Sequence, residues 1–206
     1  MKGVPKEYSW SLDISTTNVG MALWDEKGKL IELKHLQLKV DNSIPEENRY
    51  LYKARLFRDH IRKFKERVNV EYGCEITNIF VEKPLPNTGV NINTTAKLLG
   101  FNGIVCYILY EIFGVEPLLI SVHDCRRIFC DELLVKKNGK LTLSFPKNID
   151  KKEYIWKKVT KLEPNIKWIY DKNNKIKRES FDMSDAFACG YSSLKLLDII
   201  HSDYKK

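Results

Sequence analysis

Four acidic residues stand at positions where a carboxylate is either unusual or chemically useful: Asp13, Glu82, Asp182 and Asp185. Asp13 falls within a strand predicted over 9–15, although aspartate is depleted in strands. Glu82 follows an apolar run, and ligands collect beyond the carboxyl ends of strands in parallel sheets. Asp182 and Asp185 are three residues apart at the start of a predicted helix, and this spacing places both on one face.

Brought together, these carboxylates would repel one another unless cations lay between them. Clustered carboxylate oxygens favour Mg²⁺ or Mn²⁺. Two such ions about 3.5–4 Å apart activate a water molecule and stabilise the leaving oxygen of a phosphodiester. The four acids therefore predict a metal site, with two ions, that cuts the backbone of a nucleic acid.

Each acid alone also has a simpler explanation. Asp13 could face solvent, and Glu82 could be a surface residue where its strand leaves the core. Asp182 could be the N-cap of the last helix, with Asp185 as a first-turn acid favoured by the helix dipole. The order of the four acids along the chain is what favours the metal site.

The elements that must position the acids follow from hydrophobic periodicity. Three strands joined by short connections predict an antiparallel meander, and later strands separated by helices predict parallel pairing. The fold class is therefore α/β, with a mixed sheet flanked by helices. If the first and fourth strands are neighbours and the last helix packs across them, the four acids converge. The predicted strands are 9–15, 19–24, 30–40, 76–81 and 117–122, and the predicted helices are 45–70, 94–113, 124–130, 151–162 and 182–200.

The predicted helix 94–113 is apolar on nearly all sides, which favours burial against two partners. Its polar and glycine interruptions, and its length, argue against a membrane span. The amino terminus lacks the apolar region of a secretory signal. Five cysteines without a CxxC pair are typical of reduced thiols in a cytoplasmic protein. His123, Cys125 and Cys130 lie near one another, but a zinc site would lack a fourth ligand.

Positive charge is concentrated in one region. The formal net charge is +8, and the segment 131–180 carries fourteen Lys and Arg against seven Asp and Glu. Aromatic residues are interleaved there, as in surfaces that meet phosphates and stack on bases. A lysine-rich face that is simply solvated explains the charge equally well. The candidate nucleic-acid contacts are Lys83, Arg126, Arg127, Lys136, Lys137, Lys151 and Lys152.

Several motifs resemble the RNase H-like superfamily, and within it the RuvC-like Holliday junction resolvases. Residues 11–20, SLDISTTNVG, are similar to the first strand and turn of that family. Residues 79–82, IFVE, resemble its second acidic motif, and 182–188, DMSDAFA, resemble its closing helix. Residues 96–100 and those after them resemble its long helix. The resemblance runs from about residue 9 to residue 200.

The resemblance implies a single RNase H-like nuclease domain over 1–206, with a mixed five-stranded sheet and a basic insertion at about 131–180. It implies a homodimeric, Mg²⁺- or Mn²⁺-dependent endonuclease that cuts four-way DNA junctions. The four acids would be its metal ligands, and the helix 94–113 its dimer interface. The long basic insertion suggests a phage-type member acting in the cytoplasm of a bacterial or phage-infected cell.

Two other functions compete with this interpretation. An RNase H-like nuclease could act on other structured DNA or on RNA–DNA hybrids. The first strand also resembles the phosphate-binding turn of actin-like ATPases. That class needs a second phosphate loop and a Gly-Gly adenosine motif, and the sequence contains neither.

Overall fold

A mixed five-stranded sheet organises the protein. The computed structural model describes residues 5–84 and 92–200. The sheet has the strand order β3-β2-β1-β4-β5; β1 is antiparallel to β2 and β2 to β3, whereas β1 pairs with β4, and β4 with β5, in parallel. The predicted fold class and the neighbouring first and fourth strands are thereby confirmed. The strands are β1 (Lys6–Ile14), β2 (Asn18–Trp24), β3 (Leu30–Gln37), β4 (Cys74–Lys83) and β5 (Leu118–Ser121).

Helices cover both faces of the sheet. On one face α1 and α2 pack over an apolar core, and on the other face α5 lies between the sheet and the outer helices α3 and α4. A short 3₁₀ turn and a separate hairpin, β6 and β7, connect α3 to α4. The helices are α1 (Glu46–Tyr72), α2 (Ile92–Phe113), α3 (Val122–Phe129), α4 (Lys151–Leu162) and α5 (Arg178–Leu196), and the hairpin strands are β6 (Leu134–Lys137) and β7 (Lys140–Leu143).

The first core is built from the alternation of β1 and the periodicity of α1. Trp10 and Leu12 are fully buried on the α1 side of β1, as a period of two requires. Trp10 stacks on Phe64 with ring centroids 4.3 Å apart. Apolar residues spaced four and three apart along α1 form one stripe, which begins at the half-buried Tyr50. The buried members are Ala54, Phe57, Ile61, Phe64 and Val68.

The last helix begins earlier than the sequence predicted. It starts at Arg178, with Lys177 at the N-cap position, instead of at about 182. Asp182 therefore lies in the second turn, and the explanation of Asp182 as a helix cap is wrong. Almost every residue from Ser180 to Leu194 is buried, because the sheet covers one side of the helix and α3 and α4 cover the others.

The two sides of the helix α2 differ in burial. One stripe packs on the core, but the opposite side carries large apolar residues in contact with solvent. Burial against the protein's own core is confirmed for this stripe, and burial of the opposite side against a second partner stays a prediction. By length and composition α2 could also cross a membrane, although helices of protein cores meet the same two criteria; the absence of a membrane partner stays a prediction. The buried stripe is Phe101, Val105, Ile108 and Leu109, and the exposed residues are Leu99, Tyr107 and Tyr110.

Candidate active site

The sheet and α5 bring the four predicted acids to one place. Asp13 and Glu82 lie at the carboxyl ends of β1 and β4, whose register pairs Leu12 with Val81. Both side chains face α5, as Ser11 and Phe80 do two residues earlier on each strand. Asp182 and Asp185, on one face of α5, are 5% and 3% exposed. The roles that the sequence assigned to these acids stay predictions.

Burial and mutual repulsion disfavour the charged forms of these acids. Burial, together with the carboxylate of Asp185, raises the pKa of Asp13 to about 8. Burial and then the Asp13 and Asp185 carboxylates raise the pKa of Glu82 well above its ordinary value. Burial raises the pKa of Asp182 to about 6, although Lys152 and Arg178 oppose the shift. Strongly shifted acids that share one site are typical of functional centres.

Lys152 supplies a positive charge within the cluster. Its Nζ lies 2.9 Å from Asp185 Oδ2 and 3.8 Å from Asp182 Oδ1. Burial disfavours its charged form, but the carboxylates of Asp185 and Asp13 outweigh burial and raise its pKa. The sequence predicted Lys152 as a nucleic-acid contact and gave no sign of this pairing, because the partners lie thirty or more residues away.

The first turn of α4 fixes the position of Lys152. The Oδ1 of Asp150 caps the helix by accepting the backbone N–H groups of Lys152, at 2.8 Å, and Glu153, at 3.2 Å. Ile155 and Val159 continue the same face and are fully buried beneath α4. The spacing of these residues, i, i+3 and i+7, aligns Lys152 with the buried stripe of the helix.

The two neighbouring arginines of α3 point to different places, as successive residues on a helix must. Arg126 is half-buried, and its charge favours the ionised forms of Asp13 and Glu82. Arg127 is exposed and lines a cavity of about 840 Å³ between β5 and the carboxyl end of α5. None of the four acids lines that cavity. Arg126 is therefore the one that borders the acidic cluster.

The remaining predicted contacts lie outside the cluster. Lys83 is exposed and follows Glu82 on β4, so its side chain leaves the opposite face of the sheet. Lys151 is exposed at the start of α4, next to Lys152. Lys136 and Lys137 are exposed on β6. Their contact with nucleic acid stays a prediction.

The donor set suits a hard divalent cation. Among residues 5–84 and 92–200, no three His, Cys, Asp or Glu side chains are arranged to hold a metal ion as they stand. Yet four carboxylates meet here, and the buried Oδ2 of Asp182 has no hydrogen-bond partner in the described part of the chain. Oxygen-only ligands match the preference of Mg²⁺ and Mn²⁺. The four carboxylates therefore have the chemistry to bind such an ion. For the ion to bind, Lys152 would have to release the carboxylates of Asp182 and Asp185.

Two residues that the sequence reading missed hold α5 against the sheet. A Cβ atom on Gly20 would lie 1.9 Å from the carbonyl oxygen of Asp182, so only glycine permits this approach. Ser11 donates its hydroxyl to the carbonyl of Ala186 at 2.8 Å and accepts the indole N–H of Trp24 at 3.0 Å. A glycine inside a predicted strand was an available signal, because it often marks close approach of another backbone.

No protein-family model and no curated protein matches this sequence. Solved structures do match. The structure titled Thermus thermophilus RuvC in complex with a Holliday junction substrate aligns over 92% of this chain and 96% of its own, at 11% identity and a TM-score of 0.56. The yeast mitochondrial Holliday junction resolvase Ydc2 aligns over 95% of this chain and 80% of its own, at 13% identity and a TM-score of 0.56. This chain has a RuvC-like fold.

A second Thermus thermophilus RuvC structure aligns over 93% of this chain and 96% of that chain, at 12% identity and a TM-score of 0.52. These alignments cover nearly the whole length of both chains, and they confirm the fold that the sequence motifs predicted. Identities this low show the fold alone. Within the RuvC-like fold of this protein, the acidic cluster lies at the carboxyl ends of the two central parallel strands.

Proposed function

We propose that this protein is a metal-dependent endonuclease that resolves four-way DNA junctions. The observation that carries the proposal is the convergence of Asp13, Glu82, Asp182 and Asp185 at the carboxyl ends of β1 and β4, within a RuvC-like fold. Burial and mutual repulsion raise the pKa values of Asp13, Glu82 and Asp182, and a cation held between the carboxylates would relieve that repulsion.

In this proposal the four carboxylates hold two Mg²⁺ or Mn²⁺ ions. When bound, such ions would supply Lewis acidity and would activate a water molecule for attack on the phosphate. Lys152 and Arg126 border the carboxylates from α4 and α3, and they supply charge that would bind oxygens of the phosphate to be cut. The burial of α5 holds Asp182 and Asp185 in place while the phosphate enters, so the side chain that must move is Lys152, which would release these two carboxylates.

The exposed apolar side of α2 supports the proposed homodimer. Tyr107 and Tyr110 are 65% and 54% exposed, and exposed apolar patches of this kind mark interfaces. A second copy bound there would bury them, as the sequence resemblance implies. A twofold dimer carries two active sites, which suits paired cuts in a four-way junction. The proposed location is the cytoplasm of a bacterial or phage-infected cell.

A panel of substrates tests the proposed specificity. The wild-type protein with Mg²⁺ is offered a four-way junction, a flap, linear duplex DNA and an RNA–DNA hybrid, each of the same arm sequence. The proposal predicts that the junction is cut fastest, at two symmetrically placed sites. Cleavage of the hybrid alone would contradict the junction assignment and favour the RNase H-like alternative.

A further inference from the structure

The hairpin of β6 and β7 carries positive charge that nothing nearby neutralises. Its tip holds Lys136, Lys137 and Lys140, all exposed, and the segment 134–143 contains no acidic residue. Within the described residues, none of the three lysines forms an ion pair. Lys137 and Lys140 stand directly opposite each other in the ladder, and like charges in that position destabilise a hairpin.

The turn makes this arrangement rigid. Asn138 and Gly139 have φ values of 49° and 77°, as the two central residues of a type I′ turn require. That turn matches the twist of the flanking strands and fixes the register of the hairpin. The turn therefore holds the lysines close together at the tip of an ordered hairpin. A disordered tip would let the lysines move apart and would relieve their repulsion.

The base of the hairpin shows the opposite pattern, because its acids are paired. Asp131 forms an ion pair with Lys195, with 3.2 Å between Asp131 Oδ2 and Lys195 Nζ. Glu132 binds Lys158 at 2.6 Å and accepts the hydroxyl of Tyr154 at 3.1 Å. These contacts anchor the base to α4 and α5. Negative charge is thus neutralised at the base, and positive charge is left free at the tip.

The shape of the hairpin suits a groove of double-stranded nucleic acid. In the part of the chain that the structure describes, β6 and β7 pair only with each other. Val135 and Leu141 are 39% and 56% exposed, so both faces of the ribbon are open near its tip, whereas Leu143 at its base packs against the core on the α5 side of the sheet. A two-stranded β-ribbon fits the major groove of B-DNA, which is about 12 Å wide. Lysines at its tip then reach the phosphates on the groove walls.

We propose that this hairpin, residues 134–143, binds the phosphate backbone of a duplex arm of the DNA substrate, outside the carboxylate site. The chain enters the hairpin from α3, which carries Arg126, and leaves it toward α4, which carries Lys152. Both ends are therefore tethered to elements that border the acidic cluster. The proposal rests on the proposed function and adds to it a second DNA contact that holds an arm without taking part in the chemistry.

The salt dependence of DNA binding tests this proposal. The variant Lys136→Ala/Lys137→Ala/Lys140→Ala and the wild type are titrated with a four-way junction in chelator, so that no cleavage occurs, at several salt concentrations. Each lysine that neutralises a phosphate contributes about 0.9 to the slope of log K against log salt. The slope should therefore fall by about 2 to 3 in the triple variant. Its melting temperature should stay that of the wild type, because the three side chains are exposed and unpaired.

A matched control removes the same charge elsewhere. The residues Lys6, Lys27 and Lys29 are exposed near the amino end of β1 and in the turn after β2, at the opposite end of the sheet from Asp13. The variant Lys6→Ala/Lys27→Ala/Lys29→Ala should keep the wild-type slope. At subsaturating junction with Mg²⁺, cleavage by the hairpin variant should fall in proportion to its loss of affinity, whereas the control variant should cut at the wild-type rate, because a contact remote from the reacting phosphate contributes uniform binding.

Two results overturn the proposal. An unchanged slope in the hairpin variant means that the lysines do not meet phosphates, as would hold if the hairpin served an acidic protein partner. An equal loss in the control variant means that only net charge matters. Both results leave the proposed function intact if the wild type still binds and cuts the junction. A wild type that binds no junction defeats the proposed function as well, so the two failures are distinguishable.

Discussion

Replacing Gly20 by alanine tests how closely α5 must approach the sheet. Gly20 pairs with Asp13 across β1 and β2. An added Cβ would lie 1.9 Å from the carbonyl oxygen of Asp182, whereas ordinary contact begins near 3.4 Å. The helix or the strand must therefore move by about 1.5 Å. The clashing atom belongs to the backbone of a helix that is buried on all sides, so no side-chain rotation relieves it.

The expected losses follow from this displacement. Overpacking of this kind costs about 1–3 kcal/mol of stability. For a chain of this size, each kcal/mol lowers the melting temperature by about 2–4 °C, so we expect a decrease of roughly 2–12 °C. Asp182 and Asp185 would move with α5, and a misplacement near 1 Å costs about 10²-fold in rate. Junction cleavage should therefore fall by about that factor.

The assays are thermal denaturation in chelator and single-turnover cleavage of a four-way junction with Mg²⁺. Ile61→Val is the matched control, because Ile61 is fully buried on the α1 side of the sheet and the change costs about 0.5–1.5 kcal/mol. This control should melt earlier than the wild type and yet cleave normally. If Gly20→Ala cleaves at the wild-type rate, the close packing of α5 does not position the acids, and the reasoning fails.

Three further predictions concern the acids, Lys152 and α2. The pKa of Asp13 is raised to about 8 from 3.8, so the folded protein binds more protons than the unfolded chain between these values. The melting temperature in chelator should therefore fall as the pH rises from about 4 to about 8 and level off above that pH, and Asp13→Asn should flatten this profile. Lys152→Met should lower the free energy of unfolding in chelator by about 1 kcal/mol more than Lys151→Met does, after allowance for solvent screening; equal effects of the two substitutions would contradict the pairing of Lys152 with the acids. Tyr107→Glu should convert the proposed dimer to a monomer in sedimentation, whereas Val70→Glu, on α1, should not; an unchanged sedimentation profile of Tyr107→Glu would remove α2 from the interface.

The sequence predicts most of the elements because local periodicity determines them. The stripe from Ala54 to Val68 on α1 and the bounds of α4, Lys151–Leu162, follow from spacing alone. The start of α5 was placed four residues late, because residues 178–180 are polar and follow a segment that is similar to a loop in composition. They are helical because tertiary packing buries Ser180, whose hydroxyl donates to the carbonyl of Ile169 at 3.0 Å, and local propensity is easily overridden by such contacts.

The site itself is only partly predictable. The four acids were found because each lies at a distinctive place in its element and because their order resembles a known family. Lys152 and Gly20 could not be assigned in the same way, since their partners on α5 are distant in the sequence and depend on how the helix crosses the sheet. The exposed side of α2 shows the same limit, because an apolar pattern does not tell which surface will cover it.

Cleavage of a four-way junction by Asp13→Asn tests the central claim most directly. The substitution keeps the size of the side chain and removes a carboxylate that the proposal assigns to metal binding. With Mg²⁺ we expect the wild type to cut the junction and Asp13→Asn to bind it with similar affinity without cutting. Cleavage by Asp13→Asn at the wild-type rate would contradict the assignment of the acidic cluster as the active site.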